Sequence, residues 1–156
     1  MEIYTSYFYQ IRFFKPNMIP VSTAIWDPKW YHQFKGQDFV FKDKNNVYNG
    51  VRYEPLHPGP TCDNLCRGKP CEFSPENCLF LQRYREQLES LDFDKVMNYF
   101  ERLCNRYKEL NGEDAIIVLM VHEAPDNECS ERRVLLEWLN NHGVQAKELD
   151  YPINGK

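Results

Sequence analysis

"AIIVLMV", Ala115 to Val121, is an unbroken apolar run. It is too short for a helix of its own, and it lacks the polar alternation of a strand with one wet face. Such a run fits a strand covered on both faces, as in a parallel sheet. The loop "HEAPDNEC" follows, and Ser130 to His142 then reads as a helix. Val134, Leu135, Trp138 and Leu139 form its core face and Gly143 stops it. "VQAKEL", Val144 to Leu149, reads as a last strand. Strand, loop, helix and strand at this spacing make a right-handed βαβ unit. The expected fold class is α/β, with a mainly parallel sheet flanked by helices.

Upstream, Val96, Phe100, Leu103, Tyr107 and Leu110 recur at alternating steps of four and three, one apolar stripe on a helix. Asp92 or Asp94 caps it and Asn111-Gly112 ends it. Cys104 borders the stripe and reads as a core thiol. Ser74-Pro75-Glu76 is a helix start, with a hydroxyl N-cap, proline at the first position and an acid in the first turn. That helix runs to about Ser90, with Phe80, Tyr84 and Leu88 on one face. Glu2 to Phe8 and Met18 to Trp26 read as strands, the second stopped by Asp27-Pro28. Lys29 to Gly50 is expected to be a short helix or turn followed by irregular structure, with a turn at Asn49-Gly50. A length of 156 residues suits one domain, residues 1–156, in which 55–78 form a cysteine-rich loop.

The formal net charge is −4, and no basic run of five residues occurs. That disfavours a protein that coats nucleic acid, which must neutralise phosphates with Lys and Arg. "MEIYTSYFYQIRFF" has no positive leader and no cleavage site, and no apolar stretch approaches the ~20 residues of a membrane helix. A cytoplasmic location with reduced thiols is expected.

That expectation bears on "TCDNLCRGKPCEFSPENC", Thr61 to Cys78. Cys62, Cys66, Cys71 and Cys78 are spaced C-x3-C-x4-C-x6-C. Disulfides suit an oxidising compartment, and unconnected thiols are a poor use of a reactive residue in a polar loop. A metal is the favoured reading. The first two intervals fall within zinc-ligand spacing, although the C-x2-C knuckle is absent. An iron–sulfur cluster is the alternative, since it also takes four cysteines. His57 could substitute as a ligand, but with four cysteines available it is expected to be a bystander. Four thiolates leave no open coordination position, so the metal is expected to be structural.

In open α/β sheets ligands bind outside the carboxyl ends of the strands. "VHEAPDNECSERR" lies there. Cys129 precedes a helix N-terminus, where the dipole stabilises a thiolate, and Ser130 is the expected N-cap. Arg133 is expected to pair with Glu137 four residues on. Arg132 is expected to pair with Glu123 or Asp126, or to meet a bound anion. His122 and Glu123 are candidate acid–base groups. Cys129 precedes Arg132 by too few residues for a phosphatase-type loop. Trp26, Trp30 and Tyr31 are placed either to stack on a base or sugar or to close the core edge. Ser6 and Tyr7 can reach the same pocket, and Lys29 adds positive charge.

Three stretches carry a resemblance: "IYTSYF" at Ile3 to Phe8, "VSTAIWDPKWY" at Val21 to Tyr31, and "VLMVHEAPDNECSERRVLLEWLNNHG" at Val118 to Gly143. With "FLQRYREQLESLDFDKV" at Phe80 to Val96, the chain resembles a bacterial and phage family described as domain of unknown function four-eight-eight. In that family the buried strand commonly ends Cys-aromatic-Glu, then Pro, and a Cys-His-Arg element opens the last helix. Here Val121 and His122 stand at the cysteine and the aromatic, and Glu123 and Pro125 match. Cys129-Ser130-Glu131-Arg132 replaces Cys-His-Arg. The resemblance implies an α/β fold and a pocket at this loop, with no established reaction. Two functions are therefore expected. One is a pocket protein for a small anionic or nucleotide-like ligand, with Glu123, Cys129 and Arg132 as candidate catalytic residues. The other is a non-catalytic, metal-stabilised module for a protein or nucleic-acid partner.

Overall fold

The computed structural model describes residues 1–33, 48–59, 76, 78–123 and 130–149. Among these residues six strands form one sheet: β1 (Glu2–Tyr7), β2 (Met18–Ser22), β3 (Tyr31–Gln33), β4 (Tyr48–Arg52), β5 (Ile116–Val121) and β6 (Lys147–Glu148). Their order is β3-β4-β2-β5-β1-β6, and every pairing is parallel. The apolar run Ile116–Val121 lies between β1 and β2, so it is hydrogen-bonded on both edges and buried on both faces.

Side-chain alternation along β5 divides the core. Ile117, Leu119 and Val121 pack with the three helices: α1 (Leu79–Glu89), α2 (Phe93–Asn111) and α3 (Glu131–Asn141). Val118 and Met120 pack on the other face against Phe8, Ile11, Ala24 and Tyr31. Phe8 and Ile11 belong to a 3-10 helix, Phe8–Phe13, that leads from β1 toward β2. The helical caps follow the sequence. Asp92 accepts the Lys95 N–H, and Gly112 at φ 75° ends α2. Ser130 accepts the Arg132 N–H, and Gly143 at φ 86° follows α3. Cys78, not a hydroxyl residue, stands at the N-cap of α1, without a side-chain capping bond. The expected start residues Ser74 and Pro75 lie outside the described residues. On α2 the stripe shifts: Met97 is buried, Leu103 half-buried and Leu110 exposed.

The strand expectations need correction: Tyr31–Gln33 is a strand in the segment expected to be a short helix or turn, and the last strand is only Lys147–Glu148. The second strand stops at Ser22, four residues early, because the chain turns over the sheet face at Thr23, whose hydroxyl donates to the Met120 carbonyl at 3.0 Å. Asn49-Gly50 is no turn; it lies inside β4, in the segment expected to be irregular. The reason is the neighbouring Tyr31. Its hydroxyl donates to the Val51 carbonyl at 2.8 Å, and a Cβ on Gly50 would sit 2.0 Å from that oxygen. Glycine here admits a ring to the strand backbone. No helix among the described residues is long and apolar enough to cross a membrane.

Candidate functional site

The end of β5 is where the chain direction diverges. From Val121 the chain passes to α3 on the helical face. From β1 and β2, on either side, it turns to the opposite face, through Phe8 and Ala24. Strands whose connections leave to opposite faces leave a crevice at their carboxyl ends. His122 and Glu123 stand at the carboxyl end of β5, where such a crevice would open.

Its first wall is aromatic. The His122 ring meets the Trp26 carbonyl at 2.6 Å through Nε2, and its centroid is 4.9 Å from Phe8 and 6.2 Å from Trp26. The carbonyl can only accept, so Nε2 is the donor of that bond. Trp30 packs edge-on to Phe8 at 6.2 Å. Trp26 and Trp30 are 52% and 39% exposed, so they are more than core closure. Their turn is tied to the sheet by Asp27, which accepts from the Ser22 hydroxyl and from Arg52 Nη1 at 3.0 Å. Arg52 also donates to the Ile25 carbonyl at 3.0 Å. Tyr31 is buried beneath the turn.

The second wall is polar and lies on the helical side. Arg132 has a side chain only 7% exposed. Its Nε donates to Glu148 Oε1 at 2.6 Å and its Nη2 to the Glu123 carbonyl at 2.7 Å. Thr5 donates to the same Glu148 oxygen at 2.6 Å, and the Tyr7 ring centroid is 6.0 Å from the guanidinium carbon. Among the described residues Arg132 Nη1 and Glu148 Oε2 are buried without a hydrogen-bond partner. Ser130 donates to Glu123 Oε2 at 3.0 Å. Beside it, Glu131 is buried, and its carboxyl is pushed up to about 8, first by burial and then by Glu123. Glu148 is also raised: burial outweighs the opposing contributions of Thr5 and Arg132.

Arg132 therefore takes Glu148 as its side-chain partner and holds Glu123 only by its backbone carbonyl. Arg133 departs from expectation. It is exposed and meets Glu76 at 3.4 Å, while Glu137 pairs with Arg85 of α1 at 3.0 Å. The neighbouring helix offers Glu137 a cation with better geometry than its own helix does. Lys29 is exposed on the aromatic turn, and Ser6 is buried in β1. Cys129 and Asp126 lie outside the described residues. So do Cys62, Cys66 and Cys71, and with them most of the expected metal set. Cys78 is a buried free thiol, and no group of three or more metal-ligating side chains occurs among the described residues. His57 is buried; its Nδ1 meets the Ala24 carbonyl, and Nε2 has no partner among the described residues. Burial, then Arg52, lowers its pKa and keeps the ring neutral. A neutral imidazole fixed through one nitrogen fits a ligand role for the other. Cys104 is half-buried, and desolvation raises its pKa, as suits an inert thiol.

The sequence reading missed Glu131 and Glu148. An acid in the first turn of a helix is ordinary capping chemistry, so Glu131 carried no signal. Glu148 stood out only as an acid in a short strand. No protein-family model, no curated protein and no solved structure matches the chain.

Proposed function

We propose that this protein binds a small nucleotide-like ligand in the crevice at the end of β5. The observation that supports the reading is the pairing of two unlike walls at one strand end: exposed indoles on one side, and on the other a buried guanidinium whose Nη1 has no hydrogen-bond partner among the described residues. A base stacks on the indoles, as aromatic side chains stack on nucleobases generally. The anionic or ribose end meets Arg132 and the first turn of α3. Glu148 already offsets the Arg132 charge, which favours a ligand with an aromatic part over a bare anion. On the sequence segments 3–8, 21–31, 80–96 and 118–143 we also propose kinship with the family of domain of unknown function four-eight-eight.

Two of the chain's three tryptophans line the crevice, so binding is expected to quench intrinsic fluorescence. Titration with nucleoside 5′-monophosphates is expected to give saturable quenching that Trp26→Ala weakens at least tenfold. No saturable signal from any of them would end this reading.

We propose further that Cys62, Cys66, Cys71 and Cys78 hold a structural metal, zinc in preference to an iron–sulfur cluster. Protein purified without air is expected to be colourless and to carry one zinc. Absorbance near ~400 nm would replace zinc by iron–sulfur, and metal-free folded protein would remove the metal.

A further inference from the structure

The exposed aromatic and exposed aliphatic side chains occupy different parts of the surface. Among the described residues the large exposed aliphatics are Met1, Leu79 and Leu110, at the start of the chain, on α1 and on α2. The exposed aromatics are Tyr9, Trp26 and Trp30. All three belong to the 3-10 helix Phe8–Phe13 or to the turn between β2 and β3, the two segments that pack on the sheet face away from the helices. Phe8 joins those segments, edge-on to Trp30 at 6.2 Å and to Tyr31 at 5.1 Å. Tyr9 is 55% exposed, and the Arg12 guanidinium lies 4.3 Å from its ring centroid. Arg12 Nε donates to the Tyr9 carbonyl at 3.1 Å, which holds cation and ring together. The same stretch is locally basic in a chain of net charge −4. Residues 8–33 carry Arg12, Lys15 and Lys29 against a single acid, Asp27. The three cations are exposed, whereas Asp27 is held by Ser22 and Arg52.

We infer that this face binds a short single-stranded oligonucleotide, of which the nucleotide at the end of β5 is one unit. The inference rests on the nucleotide-binding reading and extends it: one base lies on Trp26 and Trp30, and the strand continues over Tyr9 and Arg12. Bases stack on exposed rings and on guanidinium planes, and cations between the rings meet the phosphates. A protein interface is also rich in Tyr, Trp and Arg, but it is depleted in lysine. Lys15 and Lys29, the engaged Asp27 and the absence of a large exposed aliphatic from these two segments favour a polyanion that carries flat rings. The negative charge of the rest of the chain confines the contact to this face, so nucleic acid is held locally and not coated. Only unpaired bases offer their faces, so a duplex is a poor ligand. With Asp27 engaged, residues 8–33 hold no free carboxylate to accept a ribose 2′-hydroxyl, and RNA and DNA are taken alike.

The test titrates the full chain with fluorescently labelled RNA and DNA strands of one sequence, about eight nucleotides long, within the usual range of single-strand sites. Their duplex and the nucleoside 5′-monophosphates are the comparisons. Both strands are expected to bind at least about tenfold more tightly than any monophosphate. Tyr9→Ala is expected to weaken the strands about tenfold and to leave the monophosphates unchanged. The log of strand affinity is expected to fall with the log of salt concentration, by about 0.7 per phosphate neutralised, and Arg12→Ala to reduce that slope by about the same amount. Arg12→Glu provides a second variant that reverses the charge at an exposed position. Strands that bind no more tightly than a monophosphate would overturn the inference and leave the nucleotide reading standing. Equal affinity for the duplex, or a preference above about tenfold for one sugar, would overturn base stacking as its basis. Absence of binding by strands and monophosphates alike would overturn both readings. A chain that binds no strand and sediments as a dimer that Tyr9→Ala splits would make this face a protein interface and overturn the inference.

Discussion

Replacing Arg132 by alanine is expected to destabilise the fold by about 3–5 kcal/mol, the cost of breaking a buried ion pair by removing one partner. The side chain is 7% exposed and touches three elements: β6 through Glu148, the β5 end through the Glu123 carbonyl, and β1 through Tyr7. Its loss leaves Glu148 and Thr5 facing each other without a counter-charge. Glu148 would respond by taking up a proton more readily. The destabilisation is therefore greatest at high pH and shrinks as pH falls and Glu148 is neutralised. Arg133→Ala removes a contact at 3.4 Å between exposed side chains and is expected to cost under ~1 kcal/mol. Urea unfolding of both variants at pH 5 and pH 8 separates the two cases. A loss below ~1 kcal/mol in Arg132→Ala at pH 8 would mean that the network does not tie these elements together.

The second large effect belongs to Glu131. Its folded pKa lies near 8, against an ordinary value of 4.5, because burial and Glu123 disfavour the ionised form. The folded state thus holds a proton that the unfolded chain releases. Linkage then gives a stability contribution that is full below about pH 4.5 and is lost as pH rises through about 8. A tenfold change in proton affinity is worth about 1.4 kcal/mol, so the total is on the order of a few kcal/mol. Glu148, raised for the same reason, adds a slope of the same sign. Glu131→Gln copies the protonated acid in shape and charge. It is expected to match the parent chain near pH 4.5 and to exceed its stability above pH 8. Thermal unfolding followed between pH 4.5 and 9 measures the slope. Equal slopes in the two chains would show that Glu131 is ionised in the folded state.

Much of the fold was legible because periodicity reports burial. Ile116–Val121 had no polar position, and only a central parallel strand accommodates that. Asp92, Ser130, Gly112 and Gly143 marked helix ends because their side chains, or the lack of one, satisfy terminal backbone groups. The strand at Tyr48–Arg52 was hidden because Asn49-Gly50 is a turn signal in isolation. Its glycine serves a tertiary contact with Tyr31 that no local rule contains. The site was legible in part for the same reason. His122, Glu123, Ser130 and Arg132 sit in one loop and one helix turn, whereas Glu148 and Thr5 reach Arg132 only through strand pairing. Long-range partners of a charged residue cannot be read from spacing along the chain.

The most direct measurement is a crystal structure of the chain soaked with the nucleoside monophosphate that quenches its fluorescence. The base is expected against the indoles of Trp26 and Trp30, and the ribose phosphate beside Arg132 and the first turn of α3. The ligand on another face, such as the polar groove along α2 lined by Asp94, Asn98, Glu101 and Arg102, with the β5 crevice empty, would contradict the account.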